Sequence, residues 1–573
     1  MLNSYRPSIA GTRHSIVAGH YLAAHAGFEI LESGGNAVDA GCASGIALAV
    51  VQSELVNFAG VAPIIFFEAA TNKVVTISGL GNWPKRIEPS LFEDYYQGSI
   101  PENILRTVVP AAPDAWITAL ELYGTMTFAE VASSAIRFAK EGFVMYPLMS
   151  ELIASHESSY RRWDANKNIY LPNDQPPKVG SLFVQKDLAD TLQYIADEEQ
   201  SSNGDRKAGL QAARNAFYRG DIASRIVQFH KENGGYLRED DLAEFRVGIE
   251  EPVTIDYLGT KVFTCGPWCQ GPALLQVLRL LEHFDLRQMG HNSCRYIHTI
   301  TEAIKLAFSD RHYYYGDPNF VDVPLKQLLS NNYNRLRQQL IRENEAWPDM
   351  PPGGDPTNGS EMCPDTPNSG VASGPANFGL DTSYTCVTDR WGNIFSATPS
   401  DVAHNSPVIP GTGLCPSSRG SQGWADSNHP SSVEPGKRPR LTPNPALAIR
   451  PGQYMIPFGT PGGDVQVQAM VQCLLNVISW GMDPQQAVES PRFASYSFPD
   501  SFEPHNKFPG RLVLESRIPS ETTEQLKSLG HEVEAWPDWT PKAGAVCMIQ
   551  IDQIHNYHLS GADPRRPAYA LGW

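Results

Sequence analysis

The stretch Asp381-Thr-Ser-Tyr-Thr-Cys-Val-Thr-Asp-Arg-Trp-Gly-Asn-Ile-Phe-Ser-Ala-Thr398 organises the reading of this chain. Residues 381–388 alternate like a β-strand, Asp389-Arg-Trp-Gly-Asn393 has the composition of a turn, and 394–398 reads as a second strand. What precedes it is abruptly different. Residues 346–380 are crowded with Pro, Gly, Ser and Asn and carry little apolar content, so burial cannot offset their ordering entropy and a flexible linker is expected.

Upstream of the linker, residues 20–33 read as a helix stopped by Gly34-Gly35, and Asn36 can cap a second, apolar helix over 37–51. Residues 61–77 look like a strand hairpin turning at Thr71-Asn72. Helical periodicity runs through 114–142, 186–197, 207–232, 271–286 and 297–309. Downstream lie an amphipathic helix over 466–480 and hairpin-like segments near 511–515 and 544–559.

The chain has 573 residues, 42% of them hydrophobic and 19% charged, enough for a sizeable core. Its net charge of −17 argues against nucleic-acid and anionic-membrane partners. The longest apolar run, 45–51, is too short to span a bilayer, and residues 1–7 lack the basic-then-apolar pattern of a signal peptide, so a cytoplasmic location is the expectation. Nine cysteines are scattered along the chain. The close pair Cys265 and Cys269 lacks the further ligands of a zinc site, and neither a metal nor another cofactor is expected.

A linker leading into a threonine that opens a strand is what an N-terminal nucleophile requires before it exists. A threonine hydroxyl needs an adjacent base at neutral pH. Cutting the bond before Thr382 would release an α-amine, with a pKa of roughly 7.7–8.0, beside that hydroxyl. Taken alone, Thr382 reads as an ordinary strand residue.

Landmarks elsewhere carry the argument further. Residues 382–389 with Gly392-Asn393 are similar to the start of the small subunit in the γ-glutamyltranspeptidase family. In the family's order come Gly34-Gly-Asn-Ala-Val-Asp-Ala40, Tyr123-Gly-Thr125, Phe217-Tyr-Arg-Gly220, Gly234-Gly235 and Asp240-Asp-Leu242. Asp310-Arg311, Gly316-Asp-Pro318, Lys437-Arg-Pro439, Gly459-Thr-Pro-Gly-Gly463, Ser490-Pro-Arg-Phe493 and Asp563-Pro-Arg565 follow. The resemblance implies an α+β fold, the four-layer αββα sandwich of N-terminal-nucleophile hydrolases with a helical portion in the large subunit. It implies self-cleavage between Asp381 and Thr382 into a large subunit, 1–381, and a small one, 382–573, that stay together as a heterodimer and leave higher oligomers open. Thr382 would then form an acyl-enzyme from a small-molecule amide. Gly462 and Gly463 match the family's oxyanion hole, and Ser400 matches a second hydroxyl near the nucleophile.

Several family positions differ. The asparagine two residues after the second hydroxyl is Val402 here. The arginine that grips a glutamyl α-carboxylate aligns with Leu80, a serine pair with Leu441-Thr442, and the residues reading the α-amino group with Arg419 and Gln422. An arginine in place of an acid inverts the charge preference of that pocket. The expected activity is therefore that of an autoprocessing amidohydrolase, acylase or acyltransferase on a non-γ-glutamyl amide bearing a carboxylate. A γ-glutamyl hydrolase or transpeptidase acting on glutathione or its conjugates is the alternative, and a processed, non-catalytic scaffold is the third.

Overall fold

The computed structural model describes residues 4–357 and 380–573. Two seven-stranded sheets form its centre. The first runs, edge to edge, through strands Tyr569–Gly572, Ser15–Ala18, Thr385–Thr388, Ile394–Ala397, Ile64–Glu68, Lys73–Ile77 and Ile249–Glu250. The second runs through Ile9–Gly11, Tyr557–Ala562, Cys547–Asp552, Tyr454–Gly459, Ala446–Arg450, Thr260–Thr264 and Val253–Tyr257. Both are antiparallel throughout.

The period-two alternation of the strands explains the layering. In the first sheet Ile16, Ala18, Ile64, Phe66, Val387 and Phe395 face outward onto helices that include Tyr21–Glu32, Ala37–Val51 and Phe128–Glu141. Their neighbours Val17, Ile65, Phe67, Cys386 and Ile394 face inward, against Leu447, Met455, Cys547 and Ile549 of the second sheet. The second sheet's outer face carries Ile255, Val262, Ala448, Ile456 and Phe458 and packs on Gly271–Leu281, Cys294–Tyr314 and Val465–Ile478. The result is helix, sheet, sheet, helix, the expected αββα sandwich.

Helix Ala37–Val51 starts where its cap predicts: the Asn36 side chain accepts from Val38 N and Asp39 N, and Asp39 answers with Asn36 N. It is buried on every side, and its glycines allow close approach. A Cβ on Gly41 would lie 2.1 Å from the ring of Phe395.

The boundaries refine several expectations. Residues 114–142 form two helices, Ala112–Tyr123 and Phe128–Glu141, and 207–232 form Arg206–Tyr218 and Asp221–Glu232. The segment near 511–515 is not a hairpin arm: Arg511–Glu515 pairs antiparallel with Phe493–Ser495 and parallel with Glu532–Trp536. The expected strand over 381–388 is shorter, beginning at Thr385.

Most of the expected linker, residues 358–379, lies outside the described residues. Its first part, 346–357, is docked by polar contacts on helix Cys294–Tyr314. Trp347 N donates to Glu302 at 2.9 Å, Lys305 Nζ to Trp347 O at 2.7 Å, and Gly354 N to Asp310 at 2.9 Å. Backbone hydrogen bonds to buried charges order a segment that apolar burial would not. Among the described residues no helix is long and apolar enough to cross a membrane.

Candidate active site

Thr382 sits just before strand Thr385–Thr388, completely buried, with φ of +67°. For a β-branched residue this is an outlier conformation. It persists because its neighbours are fixed. Leu55 O accepts from both Thr382 N (3.1 Å) and Asp401 N (3.2 Å), Ser383 N donates to Pro399 O (3.0 Å), and Ser400 exchanges backbone bonds with Val61 (3.0 and 3.2 Å). These bonds bring Ser400 alongside Thr382, and their hydroxyl oxygens are 2.6 Å apart.

Arg419 lies behind the hydroxyl pair, in the short 3-10 turn Arg419–Gln422. Its Nη2 donates to Ser400 Oγ and its Nη1 to Asp381 Oδ2 at 2.9 Å. Its Nε is 3.7 Å from Asp401 Oδ2. All these groups are buried. Asp401, at φ +136°, also accepts from Ser417 Oγ (2.6 Å), Ser418 Oγ (2.7 Å) and Ser418 N (3.1 Å). Burial pushes its carboxyl above the usual range, against the pull of Arg419 and the serines. The guanidinium thus supplies the hydrogen bond to Ser400 that Val402, buried and apolar, cannot.

At the other end of the turn, Gln422 Nε2 donates to Thr442 Oγ1 at 2.8 Å and Thr442 N donates back to Gln422 Oε1 at 3.3 Å. Gln270 continues the ladder, donating from Nε2 to Thr442 O and to Gly463 O, both at 2.9 Å. Gln270 is itself held by Arg311 Nη1 (2.9 Å), which also engages Asp464 and Ser501. A continuous chain of hydrogen bonds and one short turn therefore ties Thr382 to Gly463.

Gly462 and Gly463 have φ of +123° and +54°. Their carbonyls accept from Val465 N and Gln466 N, the first turn of helix Val465–Ile478, and their own N–H groups have no partner among the described residues. Positive φ angles of this kind favour glycine. Two unpaired N–H groups beside a helix N-terminus suit a developing negative charge. Phe502 flanks this corner, its ring 3.5 Å from a Cβ built on Gly463 and 5.3 Å from the Arg419 guanidinium.

Leu80 is buried in the apolar layer between the sheets with Val61, the bridge partner of Ser400, and Leu441, the chain neighbour of Thr442. His404 and His429 are both engaged elsewhere: His404 stacks on His156 (3.9 Å), while His429 stacks on Trp424 (4.2 Å) and accepts from Ser431 N.

Four participants were not visible as such in the sequence: Asp401, Gln270, Glu54 and Arg566. Glu54 precedes the Leu55 carbonyl, accepts from Tyr146 OH at 3.2 Å, and is pushed up to about 8 by burial. Arg566 Nη1 donates to Asp381 O (3.2 Å) and Thr382 O (3.0 Å). Only its place directly after Asp563-Pro-Arg565 hinted at it.

A hydroxyl pair, a buried guanidinium and two free N–H groups are the equipment of acyl transfer through oxygen. Comparison with known proteins agrees. The model of the gamma-glutamyltranspeptidase family matches residues 23–573. The glutathione hydrolase-like YwrD proenzyme of Bacillus subtilis (strain 168) is 32% identical over 575 residues, 99% of each chain. The solved structure of LmbA2991HD superposes with a TM-score of 0.92 at 33% identity over the whole of both chains. Cephalosporin acylase from Bacillus halodurans gives a TM-score of 0.86 at 26% identity, covering 100% of this chain and 97% of the other.

Proposed function

This chain belongs to the gamma-glutamyltranspeptidase family, and we propose that Thr382 is its nucleophile and that its substrates are small amides whose acyl part carries a carboxylate. As a member it is an autoprocessing enzyme acting on amide bonds, and its relatives are proenzymes. In the reading proposed here, Thr382 Oγ1 attacks the Asp381 carbonyl and water opens the resulting ester. The products are chains 1–381 and 382–573, which remain a heterodimer. The freed α-amine then serves as base, taking the Thr382 proton as the hydroxyl attacks a substrate amide. The N–H groups of Gly462 and Gly463 hold the oxyanion, Ser400 steadies Thr382, and the amine leaves. Water, or an acceptor amine, releases the acyl group.

One observation carries the substrate assignment. In the precursor Asp381 is itself the acyl group under attack, and its carboxylate is held by the buried Arg419 at 2.9 Å. Self-cleavage ends the tether that keeps this carboxylate there, so Arg419 can take another of similar reach. An aspartyl acyl group places its carboxylate two carbons from the reacting carbonyl, the spacing of a succinyl monoamide. Gln422 and Thr442 supply neutral polar contacts further along the pocket.

A second reading, a γ-glutamyl hydrolase, is favoured by Asp500. Burial and then Asp464 push its carboxyl up to about 8, and it lies within the field of Asp381. An α-ammonium nearby would draw out its proton and pair with it. The deciding experiment compares kcat/KM of the processed enzyme for succinyl, glutaryl and γ-glutamyl anilides. The first reading expects the dicarboxylate monoamides to lead by ~10-fold or more, about 1.4 kcal/mol. A clear lead for the γ-glutamyl anilide would replace it with the second.

A further inference from the structure

Arg566 is a buried guanidinium with no carboxylate at ion-pair distance among the described residues. Its neighbours in sequence are tightly engaged. Asp563 accepts from Arg492, from Arg565 Nη1 (3.1 Å) and from Val546 N (3.0 Å), and Arg565 also binds Glu515 at 2.6 and 2.8 Å. The strand that follows, Tyr569–Gly572, is locked onto Ser15–Ala18. The turn carrying Arg566 is thereby held rigidly on the second chain segment.

What the turn presents is a charge with one purpose visible. Arg566 Nη1 donates to the carbonyl oxygens of Asp381 and Thr382, on either side of the bond to be cut, and among the described residues the side chain makes no other hydrogen bond. Nε and Nη2 have no partner among the described residues. A buried cation without a contacting counter-ion is costly, and such cost is commonly retained for function. Asp381, Glu54 and Asp563 lie within its field.

We infer that Arg566 is the electrophilic catalyst of self-cleavage, a role separate from the glycine pair that serves turnover. The inference rests on Thr382 being the self-cleaving nucleophile. As Thr382 Oγ1 bonds to the Asp381 carbonyl carbon, the π electrons move onto Asp381 O, where Arg566 Nη1 already points. The hydroxyl proton passes to the departing Thr382 nitrogen and the C–N bond breaks, leaving an ester and a free α-amine. Water then adds to the ester, giving the Asp381 carboxylate and restoring the Thr382 hydroxyl. The strained φ of Thr382 raises the starting point, and Arg566 lowers the barrier by stabilising charge that exists only at the top of it.

The test follows the first-order conversion of freshly purified full-length chain into fragments by intact mass, for wild type, Arg566→Met, Arg566→Gln and Arg566→Lys. Loss of a preorganised oxyanion donor costs ~10²–10³-fold. Met and Gln should slow cleavage by that factor, and Lys, which keeps the charge, should recover at least ~10-fold of it. Melting of each variant in the Thr382→Ala background separates folding from chemistry, and Gln keeps the comparison alive should Met unfold. Wild-type rates in a folded Met or Gln variant would overturn the inference, as would a Lys variant no faster than an equally stable Gln. Cleavage of wild type at another bond, read by N-terminal sequencing, would instead overturn the premise about Thr382.

Discussion

The two ends of the hydrogen-bonded chain through this site are built from different materials. At the Thr382 end, side chains do the work: two hydroxyls, two buried guanidiniums and three carboxyl groups crowd around a strained peptide. At the Gly463 end backbone N–H groups at the start of a helix take their place, shaped by conformations that favour glycine. Each suits a different task. A site that must cut itself once holds its substrate covalently in place and can afford a dense, fully occupied surround. A site that must turn over needs an open corner that binds charge without filling the pocket. On the proposed mechanism, self-cleavage belongs chiefly to the side-chain end and repeated turnover to the backbone end.

The sharpest way to break that assignment is at the atom both tasks share. Thr382→Ala should leave a single uncut chain with activity lower by roughly 10⁴-fold or more, read by intact mass and anilide hydrolysis. Activity in an uncut protein would remove Thr382 from both roles.

Next in size is Gly462→Ala. A Cβ there has room, its nearest contact being Gly544 Cα at 3.6 Å, so the cost falls on the φ of +123° and on the direction of the N–H. Turnover should fall ~10²–10³-fold, while self-cleavage, served by Arg566, should slow far less. Equal losses in both rates would merge the two ends into one oxyanion site.

Arg419→Met should act at the side-chain end but in a substrate-dependent way. Losing a charged hydrogen bond costs about 1.5–3 kcal/mol, ~10- to 100-fold in kcat/KM for a succinyl anilide. A neutral acyl anilide should lose less, since only the support to Ser400 is gone. The same loss for both would reduce Arg419 to a prop for Ser400.

The last effect expected is on stability and leaves the catalytic comparison untouched. Glu54 in the folded protein holds its proton up to about pH 8, against an ordinary value of 4.5, because it is buried. A carboxyl raised on folding favours the fold when protonated, so this contribution is whole below pH 4.5 and is lost as pH climbs towards 8. Each unit of separation is worth ~1.4 kcal/mol. In the Thr382→Ala background, Glu54→Gln should hold its melting temperature between pH 5 and 8 while the parent declines. Parallel curves would show that Glu54 ionises freely.

How much of this was legible in sequence follows the same division. Thr382, Ser400 and the Gly462–Gly463 turn stand out through short motifs shared with the family, and the local strand, turn and helix patterns around them only accord with that resemblance. The helix over 37–51 is readable to the residue from the Asn36 cap and a largely apolar run. Arg419 was noticed for its charge, yet its hold on Ser400 and Asp381 depends on chain reversals no local pattern encodes. Arg566 lies 185 positions from Asp381, and Gln270 lies 193 from Gly463. Such partners become visible only when sheets bring distant strands together. The docked segment 346–357 was misread for a related reason: its order comes from polar contacts to a buried helix rather than from its own composition.

One feature of the sheets reaches beyond chemistry. In the first sheet, strands from before and after the proposed cut alternate: 569–572, 15–18, 385–388 and 394–397, then 64–68. Neither product can be withdrawn without stripping ladders from the other, so dilution should not part them as it would an ordinary dimer. The cut also removes the covalent connection through which the chain first found this arrangement. A mature molecule that unfolds must reassemble from two fragments at whatever concentration they meet. Its working life is then governed by the rate at which it first opens rather than by an equilibrium between folded and unfolded forms.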